Sequence, residues 1–276
     1  MTQKTWLITG ISSGLGQALA QTVIEHGDRV IGTFRQQAQI DAFNDLHQNK
    51  AIGIELDLTN STDILHAFEF VKSNVGKLDV LVNNAGLGFA GAIEETSIEE
   101  TRAVFEGNFF GVLALTKTFL PLLRQQKSGH IIQISSHGGF KAFAGFGIYN
   151  ASKFALEGFS EALAQEIAPL GIQLTIVEPG PFRTNFAGSS LKFAEQTIDD
   201  YLATAGAFRE KLKSVDGVQE GDPSKAATAI YNLTTLDKPP LRLPLGKVAV
   251  HSLTSKLASV QTDLDNYRDV AESVVY

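Results

Sequence analysis

Thr9-Gly10-Ile11-Ser12-Ser13-Gly14-Leu15-Gly16 is the stretch on which the fold turns. It follows the apolar run Thr5-Trp6-Leu7-Ile8 and opens a candidate helix over 14–26. Gly10 permits a tight exit from a strand, Gly14 lets backbone come close to a diphosphate, and Gly16 allows a helix to pack tightly on a sheet. A helix beginning here presents unpaired N–H groups and partial positive charge to an anion. The spacing is Gly-x-x-x-Gly-x-Gly, not the Gly-x-Gly-x-x-Gly of the commoner dinucleotide-binding turn.

Outward from this loop, short β-rich runs alternate with helical stretches. Strands are expected at 5–9, 29–34, 51–56, 80–83, 130–135, 173–178 and 241–245, with helices at 14–26, 36–48, 61–75, 97–126 and 149–170. Runs such as Val80-Leu81-Val82 and Ile131-Ile132 are apolar throughout, as strands covered on both faces require. The alternation predicts an α/β fold, a Rossmann-type doubly wound parallel sheet, in one domain spanning 1–276. After Gly180 the pattern changes. Residues 186–216 show no strand and place Leu191, Phe193, Ile198, Leu202 and Phe208 at loosely helical spacing. They read as a helical lid over the sheet edge, with a plain packing helix as the other reading. Asp222-Pro223 marks a helix start, and 247–276 is a C-terminal extension.

The 276 residues carry a net charge of −7 and no cysteine. This argues against nucleic acid or an anionic membrane as partner and removes thiol catalysis and Cys-ligated zinc. The six histidines are scattered, without His-Glu-x-x-His or clustered carboxylates, so no metal is expected. Glu94-Glu95 and Glu99-Glu100 read as solvated or helix-starting acids. His137 reads as a satisfied or solvated histidine. No stretch approaches the ~20 apolar residues of a membrane-spanning helix, and a cytoplasmic protein is expected.

Tyr149-Asn150-Ala151-Ser152-Lys153 is the sharpest chemical signal. Tyr149 and Lys153 are four apart and share one helix face. A tyrosine of pKa near ~10 is a poor acid or base at neutral pH, and a nearby ammonium is expected to lower that value. Ser135-Ser136 closes the preceding strand. Asn108 is a polar residue within a long helical stretch.

Together these motifs resemble the short-chain dehydrogenase/reductase family over about residues 5–185, more loosely afterwards. Asn83-Asn84-Ala85-Gly86 sits where the family carries a sheet-stabilising motif bordering the cofactor. Asp57 and Leu58 match the acid and its neighbour beside the adenine, and Pro179-Gly180 with Thr184 resembles the nicotinamide-side turn. The resemblance implies Ser12, Ser13 and Leu15 as phosphate contacts beside the glycines. It implies Ser136 as the serine that holds the substrate oxygen, with Ser135 the alternative. It also implies that Asn108 marks a helix irregularity supporting a water relay to Lys153. Tyr149 is then the proton donor, and Lys153 holds the nicotinamide ribose. The Gly32-Thr33-Phe34-Arg35 strand end and the extended C-terminal part are similar to retinol- and hydroxysteroid-dehydrogenase-like members.

The expected activity is transfer of a hydride between a nicotinamide and a carbonyl or alcohol. A non-catalytic NADP(H)-sensing regulator is the alternative. Where an acid would accept from the ribose of NAD, the chain has Phe34 followed by Arg35, a planar charged fork for a 2′-phosphate, with Thr33 nearby. NADP(H) is therefore the expected cofactor. Phe89, Phe140, Phe143 and Phe146 suggest an apolar substrate pocket, or else core or subunit contacts. Val104, Phe105, Phe109, Phe110, Val112, Leu113 and Leu115 exceed what one sheet face needs, and a homodimer or homotetramer is expected.

Overall fold

The computed structural model describes residues 3–47, 50–186, 188, 190–215 and 217–276. The first half builds β1 (Thr5–Ile8), α1 (Gly14–Glu25), β2 (Arg29–Phe34), α2 (Gln37–His47), β3 (Ala51–Glu55), α3 (Ser61–Asn74), β4 (Val80–Asn83) and β5 (Gly88–Ala90). Then come α4 (Ile98–Phe105), α5 (Gly111–Gln126), β6 (Gly129–Ile134), α6 (Gly147–Ile167) and β7 (Ile172–Pro179). The chain closes with β8 (Leu191–Phe193), α7 (Ala207–Ser214), α8 (Pro223–Leu233), β9 (Arg242–Leu245) and α9 (Lys247–Glu272). Gln48, the expected end of the second helix, lies outside the described residues.

Seven strands form one parallel sheet in the order β3-β2-β1-β4-β6-β7-β9. The chain runs outward from β1 to β3 and then restarts on the other side of β1 with β4. The crevice beyond the carboxyl ends of β1 and β4 is therefore the topological switch point, where ligands bind in such sheets. Alternate residues of β1 enter opposite cores. Trp6 and Ile8 pack with Leu19, Ile40 and Ile230 on one face, and Leu7 packs with Val71, Phe119 and Leu163 on the other.

Local chemistry sets the helix starts. Asn60 caps α3 by accepting from Thr62 N at 3.0 Å. Ser97 and Glu100 form a reciprocal capping box on α4, and Asp222 accepts from Ser224 N at 2.9 Å, with Pro223 in the first turn of α8. The expected helix over 97–126 is interrupted: a π-turn at Glu106–Phe110 separates α4 from α5 and holds the buried Asn108. The segment after Gly180 departs from expectation, because β8 pairs in parallel with β5. A 3-10 turn at Asp199–Tyr201, a π-turn at Leu202–Gly206 and α7 follow. Residues 187, 189 and 216 of the expected lid lie outside the described residues. Among the described residues, no helix is long and apolar enough to cross a membrane.

Candidate active site

The loop after β1 and the turn after β4 form one hydrogen-bonded unit. Thr9 Oγ1 accepts from Asn84 N and Ala85 N, both at 2.9 Å. Asn84 Nδ2 donates back to Thr9 O at 2.8 Å and to Gly10 O at 3.1 Å. Gly10 and Gly14 have φ of +67° and +63°, the left-handed region that favours glycine. A Cβ on Gly16 would lie 2.3 Å from Asn84 Nδ2 and 2.6 Å from Gly10 O, so no other residue fits. Ser13 precedes α1 without capping it through its side chain, which leaves first-turn N–H groups for another acceptor. Ser12 is exposed, and Leu15 is half-buried against the core.

A cavity of about 450 Å³ opens beside this helix start, lined by Ser13, Gly14, Gln17, Arg183, Thr184 and neighbours. Thr184 lies so near Gly14 that a Cβ there would meet Thr184 Cβ at 3.3 Å. Pro179 ends β7, and Gly180 follows it with its N donating to Leu245 O at 2.9 Å. The sequence reading missed Arg183, whose only signal was its place beside Thr184.

At the tip of β2, Arg35 is exposed. Phe34 is buried, its ring 5.3 Å from that of Phe43, so it belongs to the core and presents nothing to a ribose. Thr33 is buried as well, and its hydroxyl accepts from Gly10 N at 3.1 Å, supporting the loop from beneath. Asp57 Oδ1 accepts from Thr59 N and Oγ1, each at 2.8 Å. Leu58 is buried, with its carbonyl packed under Gly111.

Tyr149, Lys153 and Ser136 converge beyond the end of β6. Ser136 Oγ accepts from Gly138 N at 3.0 Å. Burial pushes the Tyr149 hydroxyl up to about 12, opposed by a hydrogen bond with Ser136. The expected lowering by Lys153 is not among the influences on this group, and Tyr149 is a neutral phenol. Lys153 Nζ donates to Ile134 O at 2.9 Å and lies 6.0 Å from the centre of the Tyr149 ring. Burial lowers Lys153 to about 8, while Glu157 one turn later raises it. Asn108 Oδ1 accepts from Leu87 N, and its Nδ2 donates to Leu87 O, both at 2.9 Å, and to Ser152 Oγ at 3.1 Å. A Cβ on Gly86 would stand 3.2 Å from Asn108 Oδ1 and 3.6 Å from Lys153 Nζ. Gly86, Asn108 and Lys153 thus share one corner. Ser135 Oγ is buried and faces Glu157 instead: a Cβ on Gly139 would lie 2.5 Å from that oxygen and 2.9 Å from Glu157 Oε1.

Residues 4–194 match the model of the short chain dehydrogenase family. The chain belongs to the short-chain dehydrogenase family. It is 43% identical to a short-chain dehydrogenase of known structure from Streptomyces avermitilis, with a TM-score of 0.93 over 100% of both chains. It is 40% identical to oxidoreductase BOA17 of Botryotinia fuckeliana over 248 residues, covering 90% of each. A 3-ketodihydrosphingosine reductase of Bacteroides thetaiotaomicron is 38% identical over 244 residues, covering 87% of each. Solved structures of the same fold hold NAD or NADP.

In this short-chain dehydrogenase, residues after β7 close over Tyr149. The ring centres of Phe146 and Phe186 lie 4.5 and 5.8 Å from that of Tyr149, and the ring of Phe208 in α7 is tilted against Phe146 with centres 5.2 Å apart. Phe89, Leu191 and Ala194 complete the buried cluster. Phe140 stands apart, beneath the Arg242 guanidinium at 5.1 Å.

Two charge clusters were not foreseen. Glu95, read as solvated, is buried and bonds Arg209 Nη2 at 2.8 Å. It also accepts from Ile198 N at 2.9 Å, fastening the segment after β8. On the far side of Lys153, Arg242 bonds Glu157, Glu178 and, at 2.6 Å, Glu161. Burial raises Glu178 to about 7; the Glu157 charge adds to this and Arg242 opposes it. His137 is satisfied, with Nδ1 3.1 Å from Ser252 Oγ.

Proposed function

We propose that this dehydrogenase interconverts a carbonyl compound and its alcohol with NADP(H), using Tyr149 as proton donor and acceptor. The observation that carries this reading is the Tyr149 phenol, buried and with its acidity favoured by Ser136, next to a Lys153 whose ammonium borders Gly86 and Asn108. A sensor without turnover has no use for an acid of this kind.

The residues present fit a dinucleotide. The glycine cradle excludes side chains where a diphosphate would approach, and the start of α1 lacks a side-chain cap. Ser12, Ser13, Gly14 and Leu15 would hold the diphosphate, and Arg35 the 2′-phosphate. Asp57 and Leu58 would border the adenine. Asn84, Ala85, Gly86, Pro179, Gly180 and Thr184 would border the nicotinamide half. When bound, the nicotinamide supplies the hydride.

Ser136 orients the substrate oxygen, and Tyr149 gives its proton to that oxygen as negative charge develops there. A phenol held at about 12 stays fully protonated at neutral pH, the state that reduction needs. Lys153 would hold ribose hydroxyls, and it presents positive charge to the phenolate left behind. Asn108 fixes the π-turn against Leu87 and so positions the corner that Lys153 shares. Phe146, Phe186, Leu191 and Phe208 exclude water and favour an apolar ketone or secondary alcohol. The 3-keto compound named for the Bacteroides relative supports a ketone. The segment 186–216 acts as a lid, and half-exposed Phe110 and Phe154 mark a contact between subunits.

The test is loss of NADPH absorbance with aliphatic, aromatic and steroid ketones. Turnover that favours larger apolar ketones supports the reading. Absence of turnover with every carbonyl, despite tight NADPH binding, refutes it.

A further inference from the structure

Helix α9 begins on the body and ends in solvent. Ala249 and Ser252 are buried, and Lys141 Nζ donates to Ser255 Oγ at 2.7 Å. From Leu257 onward every residue is exposed. The projecting helix, 257–272, would reach ~24 Å at 1.5 Å per residue. An unsupported helix of this length is marginal in water even when rich in alanine. This one contains Ser, Thr, Asn, two Val and three Asp, so local propensity does not sustain it.

The side chains show what would. Val250, Leu253, Leu257, Val260, Leu264, Tyr267, Ala271 and Val274 are separated alternately by three and four residues, the a/d seam of a coiled coil. Leu257, Leu264 and Tyr267 are each more than half exposed. We propose that this seam pairs in parallel with the same seam of a second copy of the chain.

Flanking charges favour that occupant. With Leu257 and Leu264 at a, Asp263 takes g and Arg268 takes the e position five residues later, the two places that meet across a parallel pair. A symmetric dimer forms this contact twice. Lys256 at the previous g faces Gln261, so no like charges oppose. Among the described residues of one chain, Arg268 pairs only within its own helix, with Asp265 at 3.4 Å and Glu272 at 3.6 Å. A membrane surface fits worse. The segment from 256 to 276 holds Lys256 and Arg268 against Asp263, Asp265, Asp269 and Glu272, the reverse of the basic polar face such helices carry.

The chain has no cysteine, so one introduced thiol reports on itself alone. Leu264→Cys, in the seam, should oxidise to a covalent dimer, while Thr262→Cys, on the opposite face, should stay monomeric on a non-reducing gel. Added to the Leu264→Cys chain, Asp263→Arg and Arg268→Asp should each slow that cross-linking at low salt, roughly three- to tenfold. The double exchange should restore it. NADPH turnover per chain should be unchanged in all three, which keeps folding under control. Equal cross-linking of the two thiols would overturn the proposal. So would charge variants that cross-link through Leu264→Cys as fast as the native charges do, or a Leu264→Cys thiol that phosphatidylserine vesicles protect from maleimide.

Discussion

Raising the pH should disarm this enzyme through Lys153 before it touches Tyr149. Lys153 is buried and held near 8, down from the 10.5 of an exposed lysine. Tyr149 sits near 12. Between pH 8 and 10, then, the group at the site that changes charge is the ammonium that borders Gly86 and Asn108. Above its pKa the charged fraction falls about tenfold per pH unit, to roughly a tenth at pH 9. If ribose binding and phenolate stabilisation both need the ammonium, kcat/KM for NADPH should fall with that slope. This parameter reports on the free enzyme, the state to which the lowered value belongs. The assay is initial-rate reduction of a saturating ketone from pH 6 to 10. Lys153→Arg keeps a permanent charge, so its rate, though lower, should lose the alkaline limb. Glu157→Gln removes a charge that raises Lys153 and should move the limb to lower pH. A native profile flat to pH 10, or a limb that persists in Lys153→Arg, would refute the reasoning.

Three further outcomes are expected. Tyr149→Phe should lower kcat by more than about a hundredfold and leave NADPH binding by fluorescence titration nearly intact; full activity would sink the proton-donor assignment. Wild-type enzyme should prefer NADPH to NADH by about ten- to a hundredfold, and Arg35→Asp should reverse the order by exchanging attraction for repulsion. Equal kcat/KM for the two cofactors in the native enzyme would remove Arg35 from the phosphate site. Glu178→Gln should stabilise the fold above pH 7. A carboxyl raised from 4.5 to about 7 gives stability that is present below 4.5 and lost as pH rises through 7, because the folded state there binds the extra proton. The gain at pH 8 is on the order of 2 kcal/mol after allowing for screening. Urea melts of variant and native chains should coincide near pH 4.5 and separate by pH 8, and a variant less stable at pH 8 would contradict this.

What was legible in the sequence was what the backbone decides locally. Gly10, Gly14 and Gly16 announce themselves because no other residue tolerates those torsions or that closeness. The Tyr149–Lys153 spacing likewise needs only a helix. What escaped depends on partners far along the chain. Glu95 looked like one more acid before a helix, since Arg209 lies 114 residues away. β8 escaped because three residues carry no alternation, and it exists only by pairing with β5. Phe34 stood in the place of a ribose-binding acid until Phe43 claimed it for the core.

Lys153 is where the two kinds of information meet. Its position beside Tyr149 is a property of four consecutive intervals in one helix. Its acidity is a property of the assembled fold. Ile134 O, on a strand nineteen residues earlier, accepts a hydrogen bond from it, and Glu157 beneath it is shared with Arg242, 85 residues later. A buried carboxylate without that guanidinium would tend to take up a proton and stop supporting Lys153. The last strand of the sheet, remote from every motif, therefore acts on the working pH of the enzyme. Arg242→Met should accordingly lower the alkaline limit of kcat/KM much as Glu157→Gln does, and an unshifted limit in a folded Arg242→Met enzyme would break this link.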